Sequence, residues 1–138
     1  MNKKLLIAWL VVFVVWMGGS FLVHGMLLQD EYAKVSNIMR TEADAQQYFP
    51  WMLLAHAILA GAFVWIYSRG VEDKPWIRQG LRFGVAIALL TIVPTYLIYY
   101  AVQPMPASLV SNQIFFDGLL LLILGVTVAA MIRAPRRG

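Results

Sequence analysis

Four apolar stretches, each long enough to cross a bilayer as a helix, leave this chain little choice of fold. They run over about 5–28, 51–68, 76–101 and 108–132, with short polar connections between them. At 1.5 Å of rise per residue, about 20 residues span the hydrocarbon. In lipid every backbone amide must be paired within the protein, which for a stretch of this length means a helix. The apolar fraction of 61% and charged fraction of 13% agree, since soluble domains carry roughly 45–50% and about 25%. The expectation is an all-α, integral membrane four-helix bundle forming one domain over residues 1–138.

Punctuation supports these boundaries. Pro50 stands at the start of the second stretch, where its missing N–H costs little. Pro75 precedes the third, and Pro104 and Pro106 separate it from the fourth. The first stretch follows Lys3 and Lys4, as a signal peptide would. Apolar sequence continues past Gly18, Gly19 and Ser20, however, and no A-x-A site appears, so an uncut helix with Met1 retained is expected. Pro94 lies deep in the third stretch and predicts a kink, with Thr91 and Thr95 placed to satisfy freed backbone groups.

Orientation follows from the basic residues. Of the 11 Lys and Arg, only Lys34 and Arg40 fall in the connection between the first two helices. The rest, among them Lys3, Lys4, Arg69, Lys74, Arg78, Arg82, Arg133, Arg136 and Arg137, fall on the opposite side. Positive residues stay inside. Both ends are therefore expected in the cytoplasm of a cell whose inner (plasma) membrane holds the chain, with the 29–49 segment outside. Basic residues so placed set topology, and a nucleic-acid partner is not implied by the net charge of +4. Within the outer segment, Tyr32, Val35 and Met39 recur at helical spacing and predict a short amphipathic helix on the membrane surface. Thr41 followed by Asp44 resembles a capping box.

Small residues at i, i+4 spacing predict close helix approach: Gly80, Gly84 and Ala88 on the third helix and Ala57 and Gly61 on the second, while Gly118, Gly125 and Ala129 lighten one side of the fourth. Packing within one chain is preferred to dimerisation.

The polar residues within the helices carry what functional signal there is. Asp117 lies about 13 Å along the fourth helix from its outer end. A carboxylate at that depth costs at least about 2.5 kcal/mol on insertion scales, so it is expected to face inward and to be partnered by His56 or a third-helix tyrosine. Gln113 is one turn earlier. His24, His56 and Tyr96, with Tyr99, Tyr100 and Gln103 near by, add polar groups to the same outer half, whereas the inner half has almost none.

Three classes of function stand open. The cluster His24, His56, Tyr96, Gln113 and Asp117 is a candidate site for a cation, a proton or a small polar ligand, and transport through so short a chain would call for an oligomer. His24 and His56 are alternatively candidate axial ligands of a b-type haem, or, with Met52, of copper, which imidazole and thioether suit. In the third class the cluster fixes helix register in a structural or accessory subunit, whose partners would be the bilayer, another membrane protein or a second copy. No enzyme is indicated: H-E-x-x-H, G-x-S-x-G, paired carboxylates and phosphate loops are all missing. The absence of cysteine excludes disulfides, thiolate metal sites, cysteine nucleophiles and c-type haem attachment.

The layout, through patches such as LVHGMLLQDEY, WMLLAHA and PTYLIYYAVQPMP, resembles small four-helix bacterial inner-membrane proteins grouped as domains of unknown function. The resemblance covers the whole chain and implies the same arrangement of helices. It assigns chemistry to no residue.

Overall fold

The computed structural model describes residues 2–134, so Met1 and the basic residues Arg136 and Arg137 lie outside the described residues. It is all-helical over that range. The elements are α1 (Lys3–Ser20), continued by a π-helical stretch (Phe21–Leu27), α2 (Gln29–Ala33), a 3-10 turn (Ser36–Ile38), α3 (Glu42–Gln47), α4 (Phe49–Arg69), α5 (Trp76–Leu90), α6 (Ile92–Val102) and α7 (Ala107–Met131). Four helical segments are long and apolar enough to cross a membrane: Lys3–Leu27, Phe49–Arg69, Trp76–Val102 and Ala107–Met131. They fall within a few residues of the stretches expected from sequence.

The α7 helix is the most buried and touches every other long segment. Its tightest partner is α5. Gly80 and Gly84 of α5 are buried against Leu121, Gly125 and Ala129 of α7. A Cβ placed on Gly80 would lie 2.5 Å from the Gly125 carbonyl oxygen, and one on Gly84 would lie 2.5 Å from that of Leu121. The two backbones are therefore in direct contact, which only residues without side chains permit. The stripe on α4 does something different. Trp9 of α1 lies over Gly61 and donates its indole N–H to the Ala57 carbonyl at 2.8 Å, so the small residues there seat an aromatic ring. Gly118 was expected to admit a neighbour, but nothing approaches it within 4 Å.

Aromatic contacts tie the remaining helices together. Trp16 meets Phe63 edge-on at 5.5 Å between centroids, Phe63 meets Phe83 at 4.7 Å, and Phe83 meets Tyr67 at 5.2 Å, joining α1, α4 and α5. Outward faces are apolar: Leu10, Phe21, Leu90 and Val102 are all more than half exposed.

The third long segment is interrupted at Thr91, three residues before Pro94, where φ and ψ are −116° and −62°. Proline removes the donor that would reach Leu90 and crowds the preceding turn, so the break falls on its N-terminal side. Thr91 turns its hydroxyl back to the Ile87 carbonyl at 2.7 Å. Thr95 donates its backbone N–H to Thr91 at 3.2 Å.

The connection between the first two long helices, residues 29–49, departs from expectation. One amphipathic helix does not form. Instead α2 ends after Ala33 through short bonds from Lys34 to Glu31 and from Val35 to Tyr32. Val35 is 3% exposed and Met39 is extended and exposed, so these two residues do not share a face. A fresh start is made at Thr41, whose hydroxyl accepts from the Asp44 N–H at 3.3 Å. The cap anticipated from sequence is thus present, and it opens the separate helix α3. The Asp44 carboxylate pairs with Arg40 instead of completing the reciprocal half of a capping box.

Candidate functional site

Where α1 runs into the π stretch, the helix widens by one residue per hydrogen-bonded loop, and the Leu28 N–H reaches the Val23 carbonyl at 2.9 Å. Such stretches are rare and concentrate at functional positions. His24 sits within this one. The α2 helix follows immediately and folds back so that Tyr32 meets the His24 ring. Tyr32 Oη lies 2.6 Å from His24 Nδ1.

On its other side His24 faces α7, with Nε2 3.2 Å from Asp117 Oδ1. The second carboxylate oxygen accepts from Tyr96 Oη, on α6, at 2.5 Å. One turn earlier on α7, Gln113 donates from Nε2 to Tyr32 Oη at 2.9 Å. The result is a continuous chain, Gln113–Tyr32–His24–Asp117–Tyr96, drawn from the π stretch, α2, α6 and α7. The carboxylate is nearly sealed, its side chain 8% exposed, whereas the imidazole is 31% exposed. His24 is therefore the bridge between the surface and the buried charge.

One proton placement suits every one of these contacts. Gln113 gives an N–H to the Tyr32 oxygen, Tyr32 gives its O–H to Nδ1, Nε2–H points at Asp117, and Tyr96 gives its O–H to the other carboxylate oxygen. Burial is the largest influence on the Tyr32 phenol and lifts it above its ordinary range. The Gln113 bond works against that shift and the charge of Asp117 adds to it. Tyr32 thus stays neutral and keeps a hydrogen to donate. Gln113 Oε1 alone is left over, a buried acceptor without a partner on a residue 3% exposed.

The 29–49 segment is fastened to the same end by Glu31. Its carboxylate accepts from Ser108, at the start of α7, at 2.8 Å and from Lys34 at 2.8 Å. These bonds, that to Lys34 first, hold the Glu31 carboxyl below its ordinary value.

Of the residues expected from sequence, His24, Tyr96, Gln113 and Asp117 belong to the one chain. His56 does not join it: Nδ1 is 2.8 Å from the Met52 carbonyl and Nε2 is 3.1 Å from Ser20 Oγ. Of the two partners expected for Asp117, the third-helix tyrosine is present and His56 is replaced by His24. Met52 takes part through its backbone, with its side chain outward. Among the described residues no three His, Asp or Glu side chains gather as metal ligands would. Tyr99, Tyr100 and Gln103 are exposed.

Tyr32 is the member that sequence reasoning missed, because its apolar spacing with Val35 and Met39 suggested a surface helix. The available signal was its position eight residues after a histidine, across a helix end.

Comparison with protein-family models, curated proteins and solved structures finds no match to this chain.

Proposed function

We propose that this chain is a multi-pass inner-membrane protein, a four-helix bundle with both ends in the cytoplasm, and that its outer polar chain is a proton-binding site. Membrane insertion is supported by the four long apolar segments with apolar outward faces, and orientation by the distribution of basic residues. Single cysteines introduced into this cysteine-free chain test it. Labelling of a cysteine at Asn37 from outside the cell, and of one at Asp73 only after permeabilisation, is the expected result, and the reverse pattern overturns the orientation.

The observation that carries the proton reading is the unbroken hydrogen-bond path from a part-exposed imidazole to a sealed carboxylate. Its members close on one another at 2.5–3.2 Å, and among small cations a proton alone needs no further space. A second proton state is available to the same atoms. When Nδ1 is protonated, the imidazolium donates to both Tyr32 Oη and Asp117. Tyr32 then needs a new acceptor, and a half-turn of the Gln113 amide puts Oε1 where Nε2 sits. The oxygen left over in one state is used in the other.

The test compares the parent with Asp117→Asn, which keeps the shape and removes the charge. The pH profile of thermal unfolding in detergent should contain a step in the parent that Asp117→Asn lacks. Coincident profiles sink the proton reading. A register-fixing clamp is the second reading, favoured by the four elements the chain joins. Loss of stability in Asp117→Asn with coincident profiles leaves that reading standing alone.

A further inference from the structure

At the opposite end of the molecule from the polar chain, the α4–α5 turn bounds two adjoining cavities. One, of about 290 Å³, is walled by Tyr67, Trp76, Gln79 and Arg133 with the turn residues. The other, of about 490 Å³, is walled by Lys74, Arg78, Gln79 and Arg82. Glu72, Lys74, Pro75 and Gln79 are common to both. The turn is held open by Gln79, whose side-chain amide accepts from the Glu72 N–H at 2.9 Å and donates to the Glu72 carbonyl at 3.1 Å.

Three features of this groove favour an anion. Four cations, Lys74, Arg78, Arg82 and Arg133, line it against two carboxylates, Glu72 and Asp73. Glu72 is engaged by Lys74, while Arg78 and Arg82 form no ion pair among the described residues. The first turn of α5 borders the groove with no side-chain cap, Pro75 being unable to supply one; the Gln79 N–H is taken by the Pro75 carbonyl, and the earlier amides and the helix dipole are left to favour an anion. The independent observation is Tyr67. This residue is 3% exposed, it lines the smaller cavity, and its hydroxyl is buried without a partner. A buried phenol left unpaired costs stability, and an acceptor oxygen in the cavity removes that cost.

The surface running away from the groove indicates where such an oxygen comes from. Ile77, Leu81, Val85 and Leu89 form an exposed i, i+4 ladder on α5, beginning level with Arg78 and continuing two turns past Arg82. A phosphate carried on acyl chains matches a basic groove that leads into an apolar track, whereas free phosphate uses only the groove.

We propose that this groove binds the phosphate of an anionic phospholipid. Basic pockets on the cytoplasmic side of membrane helices take such headgroups, and the location rests on the orientation proposed above. The test does not depend on that orientation, nor on the polar chain at the other end.

The protein is exchanged into micelles containing equal phosphatidylglycerol and phosphatidylcholine, and retained lipid is counted by native mass spectrometry. Preferential retention of phosphatidylglycerol is expected. Arg78→Gln with Arg82→Gln, both at exposed positions, should lower that retention at least tenfold, given about fivefold for each charge near a phosphate. Tyr67→Phe removes the unpaired hydroxyl, so it should fold at least as well as the parent and yet retain several-fold less phosphatidylglycerol. Equal retention of the two lipids by the parent overturns the proposal, and so does a double variant that matches the parent. Inorganic phosphate that quenches Trp76 fluorescence, in a protein showing no lipid preference, overturns the lipid as the source.

Discussion

The same two long segments, α5–α6 and α7, are joined twice, and by opposite means. Before the break at Thr91, Gly80 and Gly84 let the α5 backbone rest on that of α7 at Leu121 and Gly125, with no polar side chain involved. Beyond the break at Thr91 the contact is made by a side chain, as Tyr96 of α6 reaches across to Asp117. The first contact is non-directional and needs only the absence of atoms. The second is directional and needs every hydrogen in place. The backbone contact and the hydrogen bond thus lie on opposite sides of the break at Thr91.

This contrast breaks most sharply at the seam. Gly84→Ile forces a branched side chain into the Leu121 carbonyl and should cost about 3 kcal/mol, read as a lowered midpoint in denaturant titration of the detergent-solubilised protein. A loss below about 1 kcal/mol would mean that the helices separate easily and that the seam is not rigid. Tyr96→Phe addresses the other contact. It removes one bond to a carboxylate and should cost about 2 kcal/mol, with the helices still packed by cross-linking between cysteines placed across the seam. Tyr32→Phe should cost about 1 kcal/mol and should alter the histidine NMR signals of His24 while leaving those of His56 in place. Movement of both would mean that His56 belongs to the chain after all.

The smallest effect concerns Glu31. Its carboxyl is held below its ordinary value of 4.5, first by Lys34 and then by Ser108. A depressed carboxyl contributes its stabilisation fully above that ordinary value and loses it as pH falls through the lowered one. Hydrogen exchange of the Gln29–Ala33 amides should therefore quicken selectively in acid, and Glu31→Gln should remove the selectivity. Exchange unaffected by acid would show that Tyr32 and Val35 alone hold the outer segment down.

How much of this was readable in advance divides along the same line. Apolar length and small-residue spacing depend on one helix at a time, so the long segments and the Gly80–Gly84 stripe were legible. The burial of Asp117 was legible too, since a carboxylate within a long apolar helix needs a partner. What each polar group would meet depends on rotation and on where short helices end. The helical-spacing reading of Tyr32, Val35 and Met39 assumed unbroken α-helix, and two i, i+3 bonds at Lys34 and Val35 were enough to undo it. His56 was paired with Asp117 on depth alone, whereas its ring is turned toward Ser20.

The π stretch at Phe21–Leu27 carries a different kind of information. An α-helix turns by about 100° for each residue. Holding one residue more per loop therefore changes which direction everything downstream faces. The placing of His24 against Asp117, and of Tyr32 after it, is thus a matter of counting as well as of chemistry. Deleting Leu22 leaves every polar member of the chain present, yet a helix rewound to regular pitch would aim the imidazole elsewhere. Loss of one residue between Ser20 and Gln29 would consequently disturb the polar chain more than most substitutions within it.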